Sequence, residues 1–484
     1  MQEVILYGSG RRCKRIAMLL HQGNVHIKCI VDTNPEKWGT QVSGVTVNSP
    51  KVICELTTVP LCITIEDKET QMLVRRKVAE EYGYDLSKEI SYFELMVLSY
   101  QNMSEIQSKI EEVKRNRKSN IIFDCHSGLG LGGIEAWTKD ICTELIKNDW
   151  NNLHILTDMG VYNVPAILGS CIDAIRINSS QYFENETVFN VLEYLINCAP
   201  AIVITSKPSV VLFAACILKR LLPEKIQIIS VIHGGHELIY SQYDQYRKDI
   251  DVYVGVSEDI KAALIMRGIE KGKVYSITCP VRCEQSLKRM YTEDATKPIK
   301  IGYAGRLEVE QKRMDLLLEL IELLEKKQVN YSFDIAGDGH YRETMEKMVS
   351  EKHLEQRVNF LGTIRREEIP SFWKKQDIYV NIADFEGRSI TQLEAMVNGA
   401  VPIVTETSGT REDITEGLSG YIVELGNYRT MADKIEYLSE NREKLRIMGQ
   451  SAHDSVCPKC QREIHTQFWE EVLRKQEWML LSEQ

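Results

Sequence analysis

The sequence predicts a multidomain α/β fold built on parallel sheets, and two observations carry that expectation. Apolar runs of four to seven residues alternate with longer amphipathic stretches almost from end to end, which is the rhythm of βα units. The chain has 484 residues, more than one core ordinarily serves, so about three domains is the starting expectation. A composition of 43% apolar and 26% charged residues is that of a globular protein.

The elements follow in order. EVILYG reads as a strand, GSGRRCKRIAMLLHQG as a glycine turn and helix, and HIKCIVD as a second strand ending on Asp32. CITI (62–65) is a further strand, followed by a helix over 68–83. These form a small domain, 1–100. A polar stretch with Lys109, Lys114, Arg115, Arg117 and Lys118 reads as a charged connector, 101–118. NIIFDC and the loop HSGLGLGGIE open a second α/β set at 119–285, with strands HILTD (154–158), AIVITS (201–206), QIISVIHGG (227–235) and DVYVGVS (251–257). Periodicity lapses over 278–298, where two prolines mark a linker. A third set, 296–450, has strands KIGYAGR, SFDIAGDG, VNFLG, DIYVNIA and VPIVTE. The tail, 451–484, ends in an amphipathic helix whose Phe468, Trp469, Val472 and Trp478 are expected to pack across the domains.

Several classes are disfavoured. A net charge of -10 lacks the basic footprint of a nucleic-acid binder. No apolar run approaches the ~20 residues that span a bilayer, and the N-terminal order of apolar then basic residues is wrong for a signal peptide. The 13 cysteines are scattered, with Cys29, Cys54 and Cys62 inside strand-like runs, as in a reduced cytoplasmic protein.

The third set carries the chemistry. Arg306 follows a strand, with Lys312 six residues on, where an α/β sheet opens its crevice; two such cations can neutralise a diphosphate. Gly387, Arg388, Ser389 and Ile390 are expected to form the first turn of a helix whose free amides favour phosphate. Glu386 precedes that turn and Glu394 lies inside the helix, so both carboxylates can accept from sugar hydroxyls. Alone, two glutamates seven residues apart are usually solvated; the cations and the glycine loop give them meaning.

Residues from about 119 to 450 resemble retaining GT-B glycosyltransferases of family 4. Gly132-Gly133-Ile134-Glu135 resembles that family's glycine loop near the donor phosphates. Arg306 and Lys312 resemble its diphosphate pair, and Glu386 with Glu394 its Glu-x7-Glu motif. Ser408-Gly409-Thr410-Arg411-Glu412 resembles the loop that follows, and His233 its cleft histidine. Two departures are visible: Lys312-Arg313 stands where Lys-Gly is usual, and Glu386-Gly387-Arg388-Ser389-Ile390-Thr391 replaces Glu-Gly-Phe-Gly-Leu-Pro.

The resemblance implies a GT-B fold of two facing Rossmann-like domains, here preceded by a smaller Rossmann-like one. It implies sugar transfer from a nucleotide-sugar donor to a glycan, lipid-linked or protein acceptor, with retention of configuration, in cell-surface polysaccharide biosynthesis. Arg306, Lys312, Glu386 and His233 are then the expected catalytic set. Gly132, Gly133, Glu394 and residues Gly387, Arg388, Ser389 and Ile390 are the expected donor contacts. No cofactor or metal is expected, because protein cations serve the diphosphate; Asp249-Ile250-Asp251 has a metal-binding spacing but leads straight into a strand. A GT-B epimerase and a non-catalytic sugar-nucleotide sensor are the alternatives. Contact with the inner face of a membrane stays open through 109–118 and Lys219-Arg220.

In the first domain, Gly8, Gly10 and Asp32 match a dinucleotide fingerprint in which Cys13 replaces the third glycine. The stretch resembles the N-terminal domains of nucleotide-sugar acyltransferases; ligand binding and a purely structural role both stay open. His453, Cys457, Cys460 and His465 have spacings that suit zinc, against a simpler reading as a turn between helices.

Overall fold

Runs rich in Val, Ile and Tyr become strands where predicted, because branched and aromatic side chains fit a buried pleated surface. The computed structural model describes residues 3–113, 118–125, 133–157, 172–176 (backbone alone), 185–289 and 291–482. The chain divides into two units, and one of the cuts between them falls inside the strand Ile226–Ile232. One unit is Met1–Gly128, Asn151–Ile228 and Gln476–Gln484; the other is Leu129–Trp150 and Ile229–Lys475.

In the first unit, β1 (Glu3–Tyr7), β2 (His26–Val31), β3 (Gln41–Val42), β4 (Val45–Asn48) and β5 (Leu61–Ile63) form a sheet of order β3-β4-β2-β1-β5. It is parallel except for the β3–β4 hairpin, which the sequence reading missed because its strands are too short to show alternation. Asp67 caps the helix Lys68–Tyr82 by accepting from Thr70 N at 2.6 Å. Ser91 and Glu94 form a capping box on Tyr92–Gln101. That helix packs on Val210–Leu221, with Phe93 edge-on to Phe213 at 5.4 Å.

A second parallel array in this unit has the order β9-β6-β7-β8: β6 (Asn120–Asp124), β7 (Leu153–Thr157), β8 (Ile172–Arg176) and β9 (Ala201–Thr205). The expected charged connector is largely the helix Ser104–Val113, which buries Ile106, Ile110 and Val113. Its Lys109 is ion-paired with Glu193, and Lys219 Nζ donates to Ile226 O at 2.6 Å. Both lysines are thus engaged within the protein; Lys114, Arg115 and Arg117 lie outside the described residues. Among the described residues, no helix is long and apolar enough to cross a membrane.

The second unit holds the end of β10 (Ile226–Ile232), paired in parallel with β11 (Val252–Gly255), itself paired with β12 (Val274–Ser276). Its larger sheet is wholly parallel, of order β15-β14-β13-β16-β17-β18. The strands are β13 (Ile299–Ala304), β14 (Tyr331–Ala336), β15 (Val358–Gly362), β16 (Ile378–Asn381), β17 (Val401–Thr405) and β18 (Tyr421–Val423). Ile301, Leu317, Phe333, Ile378, Ile403 and Met448 are fully buried in its core. From β13 the chain builds outward through β14 and β15, then returns to pair β16 on the other side. That reversal is the topological switch point, outside whose carboxyl ends such sheets open a crevice.

The terminal helix runs over Arg462–Ser482, preceded by Arg442–Val456, so the expected boundary at 450 falls inside a helix. Trp469 is buried beside Trp137 at 5.5 Å, whereas Trp478, expected to pack, is 69% exposed.

Candidate functional site: carboxylates and cations at the strand switch

The loops leaving β13 and β16 flank the switch point and carry the predicted residues. Arg306, exposed, donates to Glu308 at 2.5 Å and to Gln311 Oε1 at 2.7 Å. Gln311 Nε2 in turn donates to Phe385 O at 2.9 Å and to Glu386 Oε2 at 3.4 Å. Lys312 pairs directly with Glu386, both side chains being largely buried. Arg306, Lys312 and Glu386 therefore belong to one hydrogen-bonded chain. Gln311, which the sequence reading passed over, is its middle link.

Arg313 occupies the place where the family usually has glycine, and the backbone shows why: its φ is +52°, in the left-handed region. The arginine offsets that strain with a fork onto Asp315 (3.0 and 3.1 Å) and with Asp384 at 3.1 Å. The second departure also resolves. The helix runs over Ile390–Val397 with Ser389 as its N-cap, accepting from Gln392 N at 3.3 Å, so Gly387 and Arg388 precede the helix and do not form its first turn. Gly387 passes so close to β10 that an added Cβ would lie 1.7 Å from His233 O, which excludes a side chain there.

Arg388 is nearly buried and committed elsewhere. Its guanidinium pairs with Asp413 and with Glu412 at 3.0 Å, bracing the Ser408–Glu412 loop against the helix start. This differs from the donor contact expected of it. Glu412 is likewise engaged, accepting from Glu258 N at 2.7 Å and Asp259 N at 3.3 Å.

Glu394 lies one turn into its helix and is held by no side-chain hydrogen bond or ion pair among the described residues. Burial raises its carboxyl to about 7; Arg366 pulls it down and Asp140 pushes it up. Arg366 pairs with Asp140 and donates to Ala136 O at 3.3 Å. Neither residue was singled out from sequence, since they lie 226 positions apart and share no motif. Gly133 begins the helix Gly133–Lys147, and a Cβ on it would meet Ile390 Cδ1 at 3.4 Å; Gly132 lies outside the described residues.

His233 directly follows β10, its ring edge-on to Trp137 at 5.2 Å. Its Nε2 is buried without a hydrogen-bond partner, and burial lowers its pKa to about 4, so the ring is neutral at physiological pH. In the first unit, Gly8 and Gly10 flank the turn before the helix Arg11–Gln22. Asp32 follows β2, but its carboxylate accepts from Ser9 N (2.9 Å), Ser9 Oγ (2.5 Å), Asn34 N (3.0 Å) and Lys37 Nζ (3.0 Å). It closes its own turn. Among the described residues no cluster of His, Cys, Asp or Glu is arranged to hold a metal ion. His453 bonds Val397 O at 2.7 Å and His465 accepts from Trp137 at 3.2 Å.

The comparisons with known proteins place this architecture. The chain shares its fold with solved glycosyltransferases of the GT-B class. HepE of Anabaena, in complex with UDP-glucose, superposes with a TM-score of 0.61 at 16% identity over 74% of this chain and 99% of that one. A Staphylococcus aureus TarM mutant in complex with fondaparinux, alpha-GlcNAc-glycerol and UDP superposes at 0.52 and 15% identity, over 97% of this chain and 99% of that one. Residues 287–455 match the family model of glycosyl transferases group 1. Residues 1–90 match the model described as C2185-like, N-terminal. In sequence, the chain is 24% identical over 255 residues to the poly(ribitol-phosphate) alpha-N-acetylglucosaminyltransferase of Staphylococcus aureus (strain COL), an alignment covering 50% of each. The chain spans about half the length of the curated relatives it matches.

Proposed function

We propose that the protein transfers a sugar from a nucleotide-sugar donor to a glycan, lipid-linked or protein acceptor in cell-surface polysaccharide synthesis, retaining anomeric configuration. The observation that carries this reading is the chain Arg306–Gln311–Glu386–Lys312 at the strand switch, with the unpartnered carboxylate of Glu394 in the helix that follows. The group 1 domain match over 287–455 supports it, as do neighbours solved with UDP and a UDP-sugar.

Bond breaking at the anomeric carbon leaves charge on the departing diphosphate. Arg306, free to swing because it is exposed, and Lys312, on the first turn beyond β13, are assigned to neutralise that charge in place of a metal ion. The helix start at Ser389 adds its free amides. Glu394 accepts from the ribose hydroxyls, which supply the donors it lacks in the free protein. When the diphosphate takes Lys312, Glu386 loses its partner and is released toward the sugar. His233, neutral and with Nε2 unpartnered, donates to or accepts from a sugar hydroxyl. Attack and departure on the same face follow the family resemblance. The site is assigned to the cytoplasmic side of the membrane, without resident cofactor.

The experiment is release of nucleoside diphosphate from a panel of nucleotide sugars, with acceptor fractions from cell envelope, in wild type, Arg306→Ala and Glu394→Ala. Loss of release in both variants is expected; full turnover in both would remove this site from the reaction. Binding of donor with no release under any acceptor condition would favour a sensor instead.

A further inference from the structure

Four cysteines meet where the chain's linker crosses its C-terminal turn, and the glycosyl-transfer reading uses none of them. Cys279 and Cys283 lie in the segment after β12, and Cys457 and Cys460 lie between the helices Arg442–Val456 and Arg462–Ser482. Val281 N donates to Cys460 O at 3.2 Å, which fixes the two segments side by side. Cys283 Sγ donates to Cys457 O at 3.5 Å, and Cys457 Sγ donates to Glu284 O at 3.3 Å. These crossed bonds set each thiol against a carbonyl of the opposite segment. Cys279, Cys457 and Cys460 are buried, whereas Cys283 is half-exposed.

The spacings, Cys-x3-Cys and Cys-x2-Cys, are those of a zinc cage, yet the four sulfurs do not converge as one: no group of three or more candidate ligands among the described residues is arranged for a metal. The histidines that might complete such a cage are held by Val397 O and Trp137. What the geometry does provide is a pair of thiols cross-bonded to each other's segments, of which Cys283 is the more exposed. A dithiol that exchanges with a small disulfide needs that asymmetry, an accessible sulfur to attack first and a resolving sulfur beside it.

We propose that Cys283 and Cys457 are a modification site, a dithiol pair that closes to a disulfide by exchange with a low-molecular-weight disulfide. Cys283 loses its proton and attacks one sulfur of the oxidant, releasing one small thiol and leaving a mixed disulfide. Cys457 then attacks Cys283 Sγ, releasing the second small thiol with the second proton. One S–S bond breaks and one forms; the protein pair is oxidised by two electrons and the oxidant reduced by two. Burial and the neighbouring thiol push Cys283 up to about 12, so the first step is slow at neutral pH and accelerates as pH rises. The bridge would pin the turn that backs the donor-site brace. Ser455 Oγ donates to Asp413 O at 3.0 Å and Lys459 Nζ to Glu412 O at 2.5 Å, beneath the carboxylates that hold Arg388.

The test is peptide mapping of the native full-length chain, alkylated after incubation with oxidised or reduced glutathione, with thiol titration and melting temperature in parallel. Two titratable thiols should disappear, a disulfide-linked peptide should join Cys283 to Cys457, and the oxidised form should melt higher. Dithiothreitol should reverse all three. Cys283→Ser and Cys457→Ser should each abolish the linked peptide and Cys279→Ser should keep it; should a variant fail to fold, the wild-type map decides alone. A stable glutathione adduct on Cys283, a bridge within Cys457-Cys460 or between Cys279 and Cys460, or stoichiometric zinc released on thiol modification would each overturn the assignment.

Discussion

Asp32 and Glu394 are carboxylates beyond strands of parallel sheets, Asp32 directly after β2 and Glu394 one turn into the helix after β16, and each stands in a motif that can bind a nucleotide. Their surroundings separate them. Burial pushes Asp32 up, but bonds from Ser9, Asn34 and Lys37 outweigh it and hold the carboxyl at about 2. Burial pushes Glu394 up to about 7, and no bond brings it back. A carboxylate already supplied with donors stabilises its own loop. One left without them is destabilising until something arrives with donors. The first unit has therefore spent its acid on folding, and we propose that the second has kept its acid for a ligand.

The sharpest way to break that contrast is to alter Glu394. Glu394→Gln should weaken donor binding about 100-fold, the scale of a lost hydrogen bond to a charged acceptor, measured by calorimetry. In the wild type, donor affinity should rise with pH through about 7 as the carboxylate ionises. Stability runs the other way. A folded pKa above the ordinary value means that the native state binds the proton more tightly, so this contribution is complete below about 4.5 and lost as pH rises through about 7. The amide escapes that loss, so Glu394→Gln should be more stable than wild type by ~1–3 kcal/mol above neutrality.

Gly387→Ala should come next. Its Cβ would meet His233 O at 1.7 Å, so the Glu386 loop must shift, costing about 2–3 kcal/mol in denaturant unfolding together with donor turnover. Asp32→Asn should cost about 1–2 kcal/mol while leaving donor binding intact. Because its folded pKa is depressed, that stabilisation is present above the ordinary carboxyl value near 3.8 and is lost as pH falls toward about 2. Acid unfolding of the two proteins should converge in that window. Smallest should be Arg313→Gly. Relief of a left-handed backbone, about 1 kcal/mol, is set against loss of the forks to Asp315 and Asp384, so the melting temperature should barely move.

The same contrast explains what could be read from the chain alone. Parallel sheets were legible because every strand from β13 to β17 is an apolar run followed by a helix, a pattern local enough to see. Arg306, Lys312 and Glu386 could be placed together from sequence because they sit at family spacings on such loops, and they meet in one hydrogen-bonded chain through Gln311. What did not show was where side chains spend their bonds. Arg388 stands inside the motif, yet its partners Asp413 and Glu412 lie 25 and 24 residues on. Asp32 fits a fingerprint, yet Ser9, within that same fingerprint, satisfies it. Arg366 and Asp140, 226 positions apart, both bear on Glu394. One boundary between the two units cuts through β10, where no change of composition marks it.

The central claim is that Glu394 is held unsatisfied for a nucleotide sugar. Thermal denaturation of wild type and Glu394→Ala across a panel of nucleotide sugars tests it most directly, since a ligand that binds only the folded state raises the melting temperature. At least one donor should raise that of the wild type and leave the variant unmoved. No shift with any nucleotide sugar, or an equal shift in both proteins, would contradict the account.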